Sequence, residues 1–227
     1  MTQSSAPAAA LFDVDGTLVD TSYLHAVTWW EALRQAGHVV PMARVHRAVG
    51  LGTAQLLEQL LGPDRDKDRD SELADVHSAL YAAHWPVLQP LPGAARLLHA
   101  CAERGWAVVL ATSAKEDELH ALRKALDAED AITDAVNADD VDTAKPAPDL
   151  VEQALAKVGG QAGRAVFIGD TPWDVKAAHR AGVRCIGVLS GGVSRAELLD
   201  AGADAVYQDT AELVDHLDSS LLASPEQ

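Results

Sequence analysis

The apolar residues of this chain come in short unbroken runs, and that pattern narrows the fold more than any other feature. Residues 8–13, 106–112, 131–136, 165–170, 183–188 and 203–207 are continuous hydrophobic stretches, not alternations of apolar and polar. A strand that faces solvent on one side alternates; one covered on both sides does not, and such strands belong to parallel sheets. Stretches of helical character separate the runs, at 94–103, 116–126, 148–158, 172–181, 195–201 and 211–221. Strand–helix alternation predicts an α/β fold with an open parallel sheet and right-handed crossovers.

One region breaks the rhythm. Between the first run and residues 106–112 there is no convincing strand, only helical segments at 22–36, 42–49, 53–61 and 71–84. A connection of that length is not a loop. It reads as an inserted all-α domain covering 18–88, with 1–17 and 89–227 forming the sheet domain. Trp29, Trp30 and Trp85 are expected in the core of the insertion. The segment "PDRDKDRD" (63–70) alternates in charge and reads as a solvated loop.

Composition excludes several partners. Among 227 residues there are 34 acidic and 18 basic side chains, a formal net charge of −16. Nucleic acid and anionic membrane surfaces both call for basic patches, and no apolar run is long enough to span a membrane. An anionic substrate would need local cations, from a metal or a well-placed lysine. Cys101 and Cys185 lie far apart in apolar segments and read as buried thiols of a reducing compartment. The opening "MTQSSAPAAA" lacks the basic region of a signal peptide, so a cytoplasmic protein is expected. No feature of the sequence specifies an oligomeric state.

In open α/β sheets, ligands bind beyond the carboxyl ends of the strands. Polar groups gather at those ends here: "DVDGT" after the first strand, "TSAKE" after the second, "GDTPWD" after the fourth, and "TAKPAPD" opening the helix before the fourth. Asp13 and Asp15, one residue apart, are expected to face different sides, so that one can attack while the other handles protons. A divalent cation relieves their repulsion, and a hard ion such as Mg²⁺ takes oxygen ligands. Asp170 is the natural further ligand. Carboxylates act as nucleophiles towards phosphorus, and Lys145 and Thr112 are placed to neutralise and position a phosphoryl group. Local roles compete for two of these segments. "SAKE" is a capping box with Ser113 at the N-cap and Glu116 three residues on, so a phosphate contact from Ser113 comes second. In "TPWD", Thr171 suits the cap, Pro172 the first turn and Asp174 the third position, which leaves Asp174 between cap and metal shell.

"FDVDGTLVDT", "ATS", "KPAPD" and "GDTPWDVKAAHRAG", in that order, resemble the four motifs of the haloacid dehalogenase-like superfamily, and more narrowly its members with a helical cap after the first motif, the phosphoglycolate-phosphatase-like and β-phosphoglucomutase-like proteins. The resemblance implies a Rossmann-like core under a helical cap. It implies Asp13 as nucleophile and Mg²⁺ ligand, and Asp15 as general acid/base with its carbonyl on the metal. Thr112 and Lys145, with Ser113, would hold phosphate, and Asp170 and Asp174 would complete the metal site. The expected activity is hydrolysis of a small phosphorylated metabolite through an aspartyl-phosphate.

Asp15 separates the chain from the dehalogenases of the superfamily, which lack it. The mutases typically carry Glu-Asp in the fourth motif and a cap arginine for the second phosphate. Here the pair is Gly169-Asp170, and Thr53 falls near the arginine's place, with Arg47 as a partial substitute, so the mutase is the alternative reading. A non-catalytic acidic scaffold, or a receiver-type domain, is the other; receiver domains lack an inserted helical domain. His25, Arg47, Gly50 and Thr53 are the expected cap contacts to substrate, with a core or surface histidine as the other reading of His25.

Overall fold

In the computed structural model, which describes residues 6–225, the chain forms one six-stranded parallel sheet with helices on both faces. Residues 1–5, part of the segment read above for a leader, lie outside the described residues. In chain order the elements are β1 (Ala9–Phe12), α1 (Ser22–Gln35), α2 (Met42–Ala48), α3 (Thr53–Leu61), α4 (Asp70–Ala82), α5 (Ala94–Glu103), β2 (Ala107–Ala111) and α6 (Glu116–Leu126). They continue with β3 (Asp134–Val136), α7 (Asp149–Val158), β4 (Ala165–Gly169), α8 (Pro172–Arg180), β5 (Arg184–Val188), α9 (Arg195–Ala201), β6 (Ala205–Tyr207) and α10 (Thr210–Asp215). Every expected strand is present, and all pairings are parallel, in the order β3-β2-β1-β4-β5-β6.

The unbroken apolar runs have the cause inferred for them. Ala10 and Phe12 pack with Val108, Leu110, Val166 and Ile168 on one face. Ala9 and Leu11 pack with Val109, Ala111 and Phe167 on the other. Successive residues of a strand point to opposite faces, so two buried faces demand an apolar residue at every position. The order places β1 at the centre, between β2 and β4. The chain therefore delivers Asp13 and Asp15 to the middle of the sheet's carboxyl edge, beside Thr112 from β2 and Asp170 from β4.

Helices α1 to α4 occupy the insertion, around an apolar cluster of their own that includes Trp29, Leu33, Val45, Leu56, Leu57 and Leu73. Trp29 lies in that core; Trp30 packs on its edge, and Trp85 packs against the sheet domain instead. Among the described residues no helix is long and apolar enough to cross a membrane.

Two local readings need correction. The helix read at 211–221 ends at Asp215 and is followed by a single turn at Leu217–Ser219. The charged segment 63–70 is not merely solvated loop. Its Arg65 side chain is only 5% exposed and donates to Asp70 (2.8 and 3.0 Å) and to the carbonyls of Ala54 (3.1 Å) and Gly62 (3.3 Å). One guanidinium thus joins both ends of α3 to the start of α4. A planar fork with five donors suits this; a lysine does not. Replacing Arg65 with Ala strands Asp70 and the carbonyls together, and a broken, largely buried network costs about 2–3 kcal/mol. The expected outcome is a melting temperature lower by roughly 5–10 °C for a protein of this size, with Arg65→Lys recovering only part. Thermal unfolding followed by circular dichroism checks it, and an unchanged melting point contradicts it.

Candidate active site

β1 stops at Phe12, but Asp13 still donates its backbone N–H to Ile168 (2.9 Å), so the carboxylate is held at a fixed height above the sheet. The turn that follows depends on Gly16, whose φ is +80°. A Cβ there would also lie 2.6 Å from Asp170 Oδ2 and 2.1 Å from Ser22 Oγ, so glycine is required twice over.

The two aspartates of the turn meet different surroundings. Asp13, 5% exposed, accepts from Lys145 Nζ at 2.5 Å, and the same ammonium donates to Asp174 Oδ1 at 2.8 Å. Lys145 is 1% exposed and its charge is held by these two carboxylates; burial works against the ammonium, but the acids more than offset it and drive its pKa up. Burial dominates at Asp13 and pushes its carboxyl up to about 7 despite the lysine. Asp170 is also driven well up by burial, with Asp13 and Asp174 adding repulsion; Thr17 Oγ1 donates to it at 3.1 Å.

Asp15 faces away from this group. Its Oδ1 accepts from Thr21 Oγ1 (2.7 Å) and pairs with His25 Nε2 (3.1 Å), and its Oδ2 accepts from Thr112 Oγ1 (3.2 Å). Burial raises its pKa, but His25 and the hydroxyl donors outweigh that and hold the carboxyl below its ordinary range. His25 is itself pulled upward, its own burial being overcome by Asp15 and Glu118. Glu118 Oε1 lies 3.4 Å from His25 Nε2.

Oxygens of Asp13, Asp170 and Asp174 lie within 4.8 Å of one another, all buried. When all three are ionised, three carboxylates against the one ammonium of Lys145 leave two uncompensated negative charges, the charge of a divalent ion. An all-oxygen set of this kind suits a hard cation, so the residues present fit a divalent metal. Asp174 takes the cap role weighed for it and also stands in this acidic group. Its Oδ2 accepts from Thr171 N (3.0 Å) and Oγ1 (2.6 Å) in a capping box at the start of α8, while Oδ1 takes Lys145.

The remaining expected residues divide. Ser113, Gly50 and Thr53 line a cavity of about 110 Å³ with Asp13, Asp15, His25 and Lys145. Thr112 is fully buried beneath, its hydroxyl spent on Asp15 and on the N–H of Ala114 (3.0 Å). The capping box read for Ser113 does not form: α6 begins after Lys115 without a side-chain cap, because Glu116 turns to Asn137 Nδ2 (2.5 Å) instead. Arg47 lies outside this cavity, in a neighbouring hollow with Trp173 and Lys176, paired with Glu197 at 2.5 Å. Gly52 serves close packing: a Cβ on it would lie 2.2 Å from Ala144 Cβ, so this glycine lets the insertion approach the sheet domain. Sequence reasoning missed His77, Lys115 and Glu118, which also line the cavity. No motif marks His77 or Glu118, and Lys115 lies within "TSAKE" with no role read for it; they come together only when α4 and the start of α6 meet α1.

Comparison with known proteins identifies the family. The model of the haloacid dehalogenase-like hydrolases matches residues 7–182. A phosphoglycolate phosphatase of Rhodospirillum rubrum is 35% identical over 93% of this chain and 91% of its own length. An N-acetylmuramic acid 6-phosphate phosphatase of Pseudomonas aeruginosa is 30% identical over 94% and 96%. The crystal structure of a hydrolase from Pseudomonas syringae superposes with a TM-score of 0.89 at 34% identity, covering 93% of this chain and 98% of that one. With the match running through both aspartates, Lys145 and Asp170, the chain belongs to the haloacid dehalogenase-like hydrolase family.

Proposed function

We propose that this protein is a cytoplasmic, Mg²⁺-dependent phosphatase that hydrolyses a small phosphorylated metabolite through an aspartyl-phosphate. The carrying observation is the split environment of the two aspartates: Asp13 among Lys145, Asp170 and Asp174, and Asp15 among His25, Thr21 and Thr112. Asp13 attacks phosphorus. Lys145 holds its carboxylate in place and opposes the charge of the phosphoryl oxygens. Asp15 shares a proton with His25 and hands it to the departing oxygen, then takes one from the water that hydrolyses the intermediate. Asp13, Asp170 and Asp174, with the carbonyl of Asp15, hold the metal. When bound, Mg²⁺ neutralises charge on the phosphoryl group and on the ligands. Thr112 orients Asp15, and Ser113 faces the cavity where phosphate would sit.

The insertion covers this chemistry and sets the leaving group through Gly50, Thr53 and His25, which line the cavity. The relatives named above support a phosphomonoester. The mutase reading needs a cap cation for a second phosphate, and Arg47 is instead engaged by Glu197.

Three outcomes are expected. Purified protein assayed against phosphoglycolate, sugar phosphates and nucleotides should release phosphate from at least one small monoester; no release from any would contradict the assignment. Excess chelator should abolish that activity and Mg²⁺ restore it. Ca²⁺ should not, since it takes more oxygen ligands and can occupy both oxygens of Asp13. Full activity in chelator would remove the metal from the account. Arg47→Ala should change kcat/KM by less than about fivefold on every ester, because an exposed ion pair is worth roughly 0–1 kcal/mol. A loss confined to the best substrate would return Arg47 to the leaving-group contacts.

A further inference from the structure

Beside the oxygen-only group of Asp13, Asp170 and Asp174 lies a second cluster of different chemistry. Asp15, His25 and Glu118 offer one ligand atom each, all within 4.8 Å of one another, on the wall of the same cavity. The hydrogen bonds around His25 determine what its ring presents to the two acids. Thr28 Oγ1 donates to the carbonyl of Leu24 (2.8 Å), so it must accept from His77 Nδ1 (3.0 Å). His77, which burial keeps neutral by pushing its pKa down to about 2, then has a bare Nε2. That nitrogen lies 3.5 Å from His25 Nδ1, which must be the donor. A neutral His25 is thereby left with a bare lone pair on Nε2, aimed at Asp15 Oδ1 (3.1 Å) and Glu118 Oε1 (3.4 Å). Three acceptors facing each other require a cation between them, either a proton or a metal ion.

We propose that Asp15, His25 and Glu118 form a second metal site, selective for an ion that favours mixed nitrogen and oxygen ligands such as Zn²⁺, and that filling it inhibits the enzyme by occupying the Asp15 carboxylate. The spacing suits it. Tetrahedral Zn²⁺ with bonds of about 2.0–2.1 Å sets neighbouring ligand atoms about 3.3 Å apart, close to the 3.1 and 3.4 Å found here. The ring is also held as a metal-bound histidine is held. Its second nitrogen donates into the His77–Thr28 chain, and Tyr81 stacks on its face at 4.0 Å, which fixes tautomer and orientation before any ion arrives. The open side is the cavity, which leaves room for water as a fourth ligand. Softer donors separate the two clusters, because imidazole suits Zn²⁺ while an all-carboxylate set suits Mg²⁺. Inhibition rests on the role given to Asp15 above; binding does not.

The test is calorimetric titration of Zn²⁺ into the protein in excess Mg²⁺, with anomalous diffraction from Zn²⁺-soaked crystals. One ion should bind per chain and appear between Asp15, His25 and Glu118. His25→Gln and Glu118→Gln should each weaken binding at least about tenfold, as loss of one of three protein ligands demands, while Asp170→Asn leaves it in place. Activity of the unmodified enzyme should fall with the same midpoint and should not recover on adding more Mg²⁺. No binding in excess Mg²⁺, equal binding by both variants, or an ion found only among Asp13, Asp170 and Asp174 overturns the site. The crystal arm holds even where a variant does not fold. Binding with full activity retained overturns the inhibition alone and points to an error in the role of Asp15.

Discussion

A buried ammonium ion organises the catalytic edge of this protein. Lys145 has almost no contact with solvent and donates to both Asp13 and Asp174. Taking a charge out of water is costly unless it is paired and hydrogen-bonded, so the lysine is tolerable only with both acids, and the acids only with the lysine. That mutual dependence ties the end of β1, the loop before α7 and the first turn of α8 to one point. It leaves the acids in excess, with burial holding Asp13 and Asp170 above their ordinary range. Once these acids ionise, the site carries an excess of negative charge that a divalent ion would neutralise.

The turn after β1 makes one strand serve two chemistries. On an extended strand residues two apart share a face, but the strand ends at Phe12, and the turn through Gly16 sets Asp15 facing away from Asp13. One falls among fixed charges and the other among a histidine and hydroxyls. The same residue type thus meets two environments, one that pushes its pKa up and one that holds it down. The insertion contributes to this division, because Thr21 and His25 at the start of α1 supply partners to Asp15. Lining the cavity and supplying partners to Asp15 are done by the same helix.

Much of this was legible in the sequence, for a physical reason. A parallel strand covered on both faces cannot hide its character, so the six runs announced the sheet. Asp13, Asp15 and Asp170 stood out because polar residues at the ends of buried strands have few structural uses, and Lys145 as a cation opening the helix before the fourth strand. The rest depended on contacts between distant segments. Glu116 left its expected partner Ser113 for Asn137, twenty-one residues away; Arg47 found Glu197 across the interface with the sheet domain; and Gly52 proved to serve that same interface. His77 and Glu118 sit on ordinary amphipathic helices, where nothing local distinguishes a cavity-facing polar residue from a solvated one.

The account stands on Asp13, and not Asp15, forming the bond to phosphorus. Borohydride reduces an acyl phosphate to the alcohol, so an aspartyl-phosphate trapped during turnover becomes homoserine at the residue that carried it. The enzyme would be mixed with Mg²⁺ and p-nitrophenyl phosphate, quenched into borohydride, digested and read by mass spectrometry. The account expects homoserine at position 13, dependent on substrate, with Asp15 unmodified. Homoserine at position 15, or hydrolysis proceeding with neither residue modified, would contradict it.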